Sequence, residues 1–231
     1  MNNALNASAS ILEESDTLVA SVRIIANFAV QHLSAACVFR DRCIYIEANL
    51  SASDQNSAFS ELRSYASSTL MSCAAGLEAL INELFIAHGG KLRNCLPDFD
   101  VSFWGARGIE RRPPLDKFEN ALQLLQLPSL QRTISPYRDA WGVIELRNAL
   151  VHFKPSWDPV SRRRVELEQV LAGRYGLSPF GDPKSDFVTI RSMSAGCATW
   201  AVDSTLSFLR EFDRHANIDK DKMAGVWALE A

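Results

Sequence analysis

Residues 58–87 read AFSELRSYASSTLMSCAAGLEALINELFIA. Within them Leu62, Ala66, Leu70, Cys73, Leu77, Leu80 and Leu84 recur every three or four residues. That is the period of one face of an α-helix, and it predicts a single long helix. Gly89-Gly90 stands at its end, where glycine stops a helix by adopting backbone angles that other residues resist. So long an apolar stripe needs other helices to cover it, so the predicted fold class is all-α, a bundle of helices packed on helices.

Towards the N-terminus, residues 10–50 read as largely helical, with Leu18, Val22, Ile25 and Phe28 at helical spacing. Cys43-Ile44-Tyr45-Ile46 is rich in strand-favouring residues and is a candidate for a short extended piece. Towards the C-terminus a polar and aromatic connection, Pro97 to Pro114, carries Arg107, Arg111 and Arg112. Helical patterning resumes from Leu115 to Leu125, and Pro128 and Pro136 bracket a break. A further helix is predicted from Tyr137 to about Phe153, ended by Pro155, which pushes the residue before it out of the helical region. A charged helix over Ser161–Arg174, capped by Gly176, should follow. Pro179–Ser192 reads as a loop, with Phe187–Ile190 as an extended candidate. The last predicted helix, near Ser194–His215, is amphipathic and carries Trp200, Ala201, Leu206, Phe208, Leu209 and Phe212.

Hydrophobic residues make up 47% of the 231 residues and charged residues 22%, enough to bury a substantial core. The formal charge of −3 provides no global field for nucleic acid, so RNA contact would need a local basic cluster. The first residues show no basic and apolar leader, so no secretory signal is expected. The most lipid-like stretch, Leu18–Phe39, is interrupted by Arg23, Gln31 and His32 and reads as a half-buried helix, not a membrane span. The five cysteines form no C-x-x-C pair and lack a histidine at ligand spacing. Reduced thiols in a cytoplasmic protein are therefore expected, with no metal and no cofactor. No Gly-rich phosphate loop and no G-x-S-x-G elbow occurs.

The residues that suggest chemistry lie in Glu145-Leu146-Arg147-Asn148-Ala149-Leu150-Val151-His152-Phe153-Lys154-Pro155. On a helical wheel Val143, Leu146, Leu150 and Phe153 form the apolar stripe, while Glu145, Asn148 and His152 form a narrow polar ridge opposite. Arg147 lies about 140 degrees from His152, so the two do not share a face. Histidine is suited to proton transfer near neutrality, and a guanidinium offers a charged fork to phosphate oxygens. Such a set fits metal-free RNA cleavage, in which the ribose 2′-hydroxyl attacks its own phosphodiester. Spacing alone is weak: with 18 Arg and 4 His, about one Arg-x(4–6)-His match arises by chance. A second match, Arg210 to His215, lies among Glu211, Asp213 and Arg214 and reads as a solvated pair.

The setting adds more. Arg147-Asn148 followed by His152 resembles the R-N-x-x-x-H signature of HEPN domains (higher eukaryotes and prokaryotes nucleotide-binding). Leu77-Glu78-Ala79-Leu80-Ile81-Asn82-Glu83-Leu84-Phe85 is similar to their L-E-x-x-I-N-E-L-F helix, and Cys197-Ala198-Thr199-Trp200-Ala201-Val202 to their closing C-A-x-W-A-V helix. These stretches fall in family order over residues 58–212. The resemblance implies a HEPN-like helical domain at 58–215, an N-terminal helical extension at 1–57 and a C-terminal tail at 216–231. It also implies a homodimer whose Arg and His meet at the two-fold axis, acting on RNA as a metal-independent endoribonuclease, in some members a toxin with an antitoxin or a phage-defence effector. Other members are scaffolds that bind RNA, nucleotide or a protein partner.

On this reading Arg147, Asn148 and His152 are the catalytic candidates. Glu78, Asn82 and Glu145 are cleft candidates, and Lys154, Arg162, Arg163 and Arg164 are candidate phosphate contacts. Structural alternatives stand beside these. His152 is also suited to the negative end of a helix dipole, and Arg147 to an ion pair with Asp139 or Glu145. Glu78 and Asn82 suit a hydrogen bond between helices, Arg162–Arg164 a solvated face, and the tryptophans packing.

Overall fold

The computed structural model describes residues 28–51, 55–86, 90–95, 108–154, 162–218 and 220–230. Expectations that fall on residues 1–27, 96–107 and 155–161, including Arg107, Trp104 and Trp157, lie outside the described residues. Among the described residues, eight α-helices follow in order: α1 (Ala29–Ala48), α2 (Gln55–Ile86), α3 (Lys91–Asn94), α4 (Pro114–Leu124), α5 (Tyr137–Val151), α6 (Arg162–Leu171), α7 (Ala195–Ala216) and α8 (Lys220–Trp227). Among the described residues there is no strand, and the fold is an all-helical bundle.

Helix α2 is the central element. All seven positions of its apolar repeat are buried, and α1, α4, α5 and α7 pack around it. Each such leucine contributes about 1.5–3 kcal/mol by leaving water. Helix α2 is also long and apolar enough to cross a membrane by length and composition, but 61% of its most apolar window is buried inside the bundle. Helices α1 and α2 approach closely at Gly76, where an added Cβ would stand 2.7 Å from Leu33 Cδ2. Helix α4 packs edge-on onto α7 through Phe118, whose ring meets Phe208 at 5.0 Å and Phe212 at 4.8 Å.

Two carboxylates fasten helix starts from a distance. Glu83 of α2 accepts the Phe28 and Ala29 N–H groups at the start of α1, at 2.8 and 3.0 Å. Glu47 of α1 accepts the Ala195 N–H at the start of α7, at 2.7 Å. Both satisfy donors that a helix leaves unpaired and place negative charge at the positive end of the dipole. Burial pushes both carboxyls above their ordinary range.

Several sequence expectations are corrected. Cys43–Ile46 lies inside α1 and is not extended: Cys43 and Ile46 are buried while Ile44 and Tyr45 are exposed, the three-residue helical period and not strand alternation. Phe187–Ile190 falls within a π-helical turn, Phe187–Arg191, started by Asp186, whose Oδ1 accepts the Thr189 N–H and hydroxyl at 2.8 Å each. Helix α6 stops at Leu171, with Gly173 left-handed at φ 73° beyond it, so Gly176 is not its cap. Gly176 instead meets Gly196 of α7, and its carbonyl accepts the Ser194 hydroxyl at 2.6 Å.

The division at 57 and 215 does not coincide with a break in the core. Ala29, Leu33, Ala36, Cys43 and Ile46 of α1 belong to the same hydrophobic cluster as α2 and α7. So do Met223 and Val226 of α8, in the stretch read as a tail, where a Cβ on Gly225 would stand 2.8 Å from Val30 Cγ2 of α1. An apolar pair four residues or fewer apart in so short a segment is too little periodicity to read as a packed helix.

Candidate functional site

Helix α5 buries Val143 and Leu146 and turns its polar ridge outward. Glu145 and Asn148 on that ridge are half-buried, and His152 is exposed. The helix ends one turn after Asn148: the His152 N–H still donates to the Asn148 carbonyl at 3.0 Å, but His152 itself has left helical geometry, with φ −98° and ψ 23°. His152 is therefore the C-cap of α5, one residue before the expected end at Phe153, with its imidazole on the surface.

Arg147 is half-buried, and its Nη1 donates to Asn148 Oδ1 at 2.9 Å. Asn148 thus engages the arginine. Asp139, an alternative partner for Arg147, is paired instead with Arg174 at 2.7 Å. The structure brings Arg147 and Asn148 into contact and sets His152 about one turn further on. The angular separation of Arg147 and His152 on the helix persists, so one chain does not present both on one face.

Glu78 and Asn82 meet a residue that sequence reasoning missed. Lys117 of α4 is fully buried, and its Nζ donates to Glu78 Oε1 and to Asn82 Oδ1, each at 2.9 Å. A buried ammonium must find acceptors or lose its charge. The pair is therefore a clamp between α2 and α4, the structural alternative for both residues. The only sequence signal was the i, i+4 pair of acceptors on an otherwise apolar helix, which calls for a donor without saying where it lies.

The basic residues after the site divide. Lys154 is exposed. Arg164 is engaged by its own neighbours: Nη1 faces Asp186 Oδ2 at 3.4 Å, Nη2 donates to the Lys154 carbonyl at 3.2 Å, and the guanidinium lies 4.7 Å over the Phe153 ring. It braces the segment that leaves His152 against α6 and the π-helical turn. Arg162 and Arg163 lie in α6, but their side chains fall outside the described ones. Trp200 packs on α5, with Cη2 3.3 Å from where a Gly142 Cβ would be, as expected of a packing tryptophan. Trp141 is 38% exposed on the same outward side of α5 as Asn148 and His152.

The chain matches no protein-family model, no curated protein and no solved structure.

Proposed function

We propose that this chain is a metal-independent endoribonuclease of HEPN type, with His152 as base and Arg147 as the cation for the phosphate. The observation that carries the reading is the end of α5, where an accessible imidazole follows one turn after a contacting Arg147–Asn148 pair. His152 takes the proton of a ribose 2′-hydroxyl as its oxygen attacks the adjacent phosphorus. The bond from phosphorus to the 5′-oxygen breaks and that oxygen takes a proton from solvent, leaving a 2′,3′-cyclic phosphate and a 5′-hydroxyl. Arg147 neutralises the charge that builds on the phosphorane, and Asn148 holds the guanidinium in place.

The divergence of Arg147 and His152 on one helix favours a homodimer, in which the Arg of one copy acts with the His of the other. Exposed Trp141 and Val151 on α5 offer apolar surface for that pairing. A cytoplasmic toxin or phage-defence effector, held by an antitoxin partner and not membrane-bound, fits this chemistry. The test is incubation of the purified chain with a defined single-stranded RNA in EDTA. The proposal requires cyclic-phosphate products that disappear in His152→Ala and Arg147→Ala.

A second reading, a non-catalytic HEPN-like scaffold for RNA, nucleotide or a protein, is favoured by one observation. Arg164, the first arginine after the site whose side chain is described, is engaged by Asp186, Lys154 and Phe153, which thins the cation supply in a chain of net charge −3. A folded, dimeric wild type that binds RNA without cleaving it decides for the scaffold.

A further inference from the structure

The outward ridge of α5 carries side chains that the cleavage chemistry does not use. Trp141, Asn148 and His152 fall within about 40 degrees of one another around the helix, and Arg138 lies on the same side one turn before Trp141. Trp141 is 38% exposed, and among the described residues it is the one tryptophan that stands exposed. An indole left in water forgoes the burial such a ring ordinarily gains, so it offers a flat apolar surface for something else to cover. Trp200, on the inner side of the same helix, shows the packed alternative.

Arg138 is exposed too, and its neighbour Asp139 is taken by Arg174 at 2.7 Å, so the guanidinium of Arg138 makes no ion pair among the described residues. At the far end of the ridge Lys154 stands exposed two residues beyond His152. From Arg138 to His152 the helix rises about 21 Å, a reach that takes several nucleotides of a single strand. Glu145, between Trp141 and Asn148, is half-buried and engaged within the protein. Its carboxylate repels phosphate, so the middle of the ridge suits a base and the cationic ends suit the backbone.

We propose that Trp141 stacks on an unpaired base of the RNA and that Arg138 holds the phosphate of that nucleotide, leading the strand along α5 to His152. The inference rests on the nuclease reading above. Every base has a face that an indole can cover, so this contact selects for single-strandedness and not for sequence. It is compatible with pairing of two copies. Val151 lies about 80 degrees from Trp141, on the Arg147 side of the helix, and a dimer closing over Val151 leaves the Trp141 ridge along the mouth of the cleft.

Binding is measured apart from cleavage, by fluorescence anisotropy of a labelled single-stranded RNA titrated with the full-length His152→Ala chain. The same chain carrying Trp141→Ala, Trp141→Phe or Arg138→Gln is titrated in parallel, each shown to be folded by circular dichroism. Trp141→Ala should weaken binding by roughly five- to a hundredfold, the share of one stacked base, and Trp141→Phe should keep most of the affinity. Arg138→Gln should weaken it and lower the salt dependence by about one phosphate contact. A duplex of the same sequence, whose bases are already stacked, should show no Trp141 effect. No saturable binding, a folded Trp141→Ala chain that binds like its parent, an equal loss on duplex, or a loss traced by sedimentation to a broken dimer would each overturn the assignment. Unchanged binding in the variants beside cleavage by wild type strikes this contact and leaves the nuclease standing. Trp141-dependent binding by a wild type that does not cleave strikes the nuclease and leaves the nucleotide contact.

Discussion

Replacing Glu78 by alanine should damage this fold far more than replacing Lys117 by methionine, although both remove the same ion pair. Lys117 is fully buried, while the Glu78 side chain is 40% exposed. Without Glu78, the ammonium is left in the core with Asn82 as its one remaining partner in the clamp. Stranding a buried charge costs about 3–5 kcal/mol. Water reaching the vacated Glu78 position should hold the loss near the lower figure, about 3 kcal/mol. For a chain of this length that is a fall in thermal midpoint of about 6–12 °C. Lys117→Met instead substitutes an apolar chain of similar length and leaves a carboxylate that can turn to solvent. Such replacements are near neutral, within about 1 kcal/mol. Adding Lys117→Met to Glu78→Ala should therefore recover most of the lost stability. Scanning calorimetry of the four proteins measures each term and their coupling. Equal losses for the two single variants, or a double variant no more stable than Glu78→Ala, would refute the claim that the buried charge governs this contact.

Gly76→Ala should lower stability despite the better helix propensity of alanine. The new Cβ would stand 2.7 Å from Leu33 Cδ2 and 2.8 Å from Cγ of a buried side chain, a crowding cost of about 1–3 kcal/mol against a gain of about 1. A raised urea midpoint would show that α1 and α2 are looser than described. Arg164→Ala should cost about 1–2 kcal/mol and speed amide hydrogen exchange at Phe153 and Lys154; unchanged exchange would remove the brace. Glu47 and Glu83 have folded values raised above the ordinary 4.5 by burial. In the folded state they keep protons that the unfolded chain has released, so their stabilisation is complete below about 4.5 and is lost as pH rises through the folded values. Wild type should therefore lose stability relative to Glu47→Gln/Glu83→Gln as pH rises through that window, and parallel pH profiles would contradict the shifts.

The helices were legible where burial falls on one face. The Leu62-to-Leu84 stripe of α2 and the Trp200-to-Phe212 face of α7 carry the bundle in their spacing alone. Local propensity failed where tertiary burial overrode it, as at Cys43–Ile46, whose strand-favouring residues are held in α1 by the burial of Cys43 and Ile46. Gly176 was misread because a glycine after a charged helix suggests a cap, whereas here it makes room for Gly196. At the site, the ridge of Glu145, Asn148 and His152 follows from the wheel. The partners from elsewhere in the chain do not: that Arg174 takes Asp139, and Lys117 takes Glu78 and Asn82, depends on which segments meet, and sequence spacing within one helix carries no record of that.

The most direct test of the central claim is the single-turnover rate of RNA cleavage in EDTA by wild type and by His152→Ala from parallel preparations. Since His152 is an exposed cap, the variant should fold normally. The account predicts measurable cleavage by wild type and a loss of about 10²-fold or more in the variant, the share expected of a positioned base. A folded variant that cleaves at the wild-type rate would contradict it.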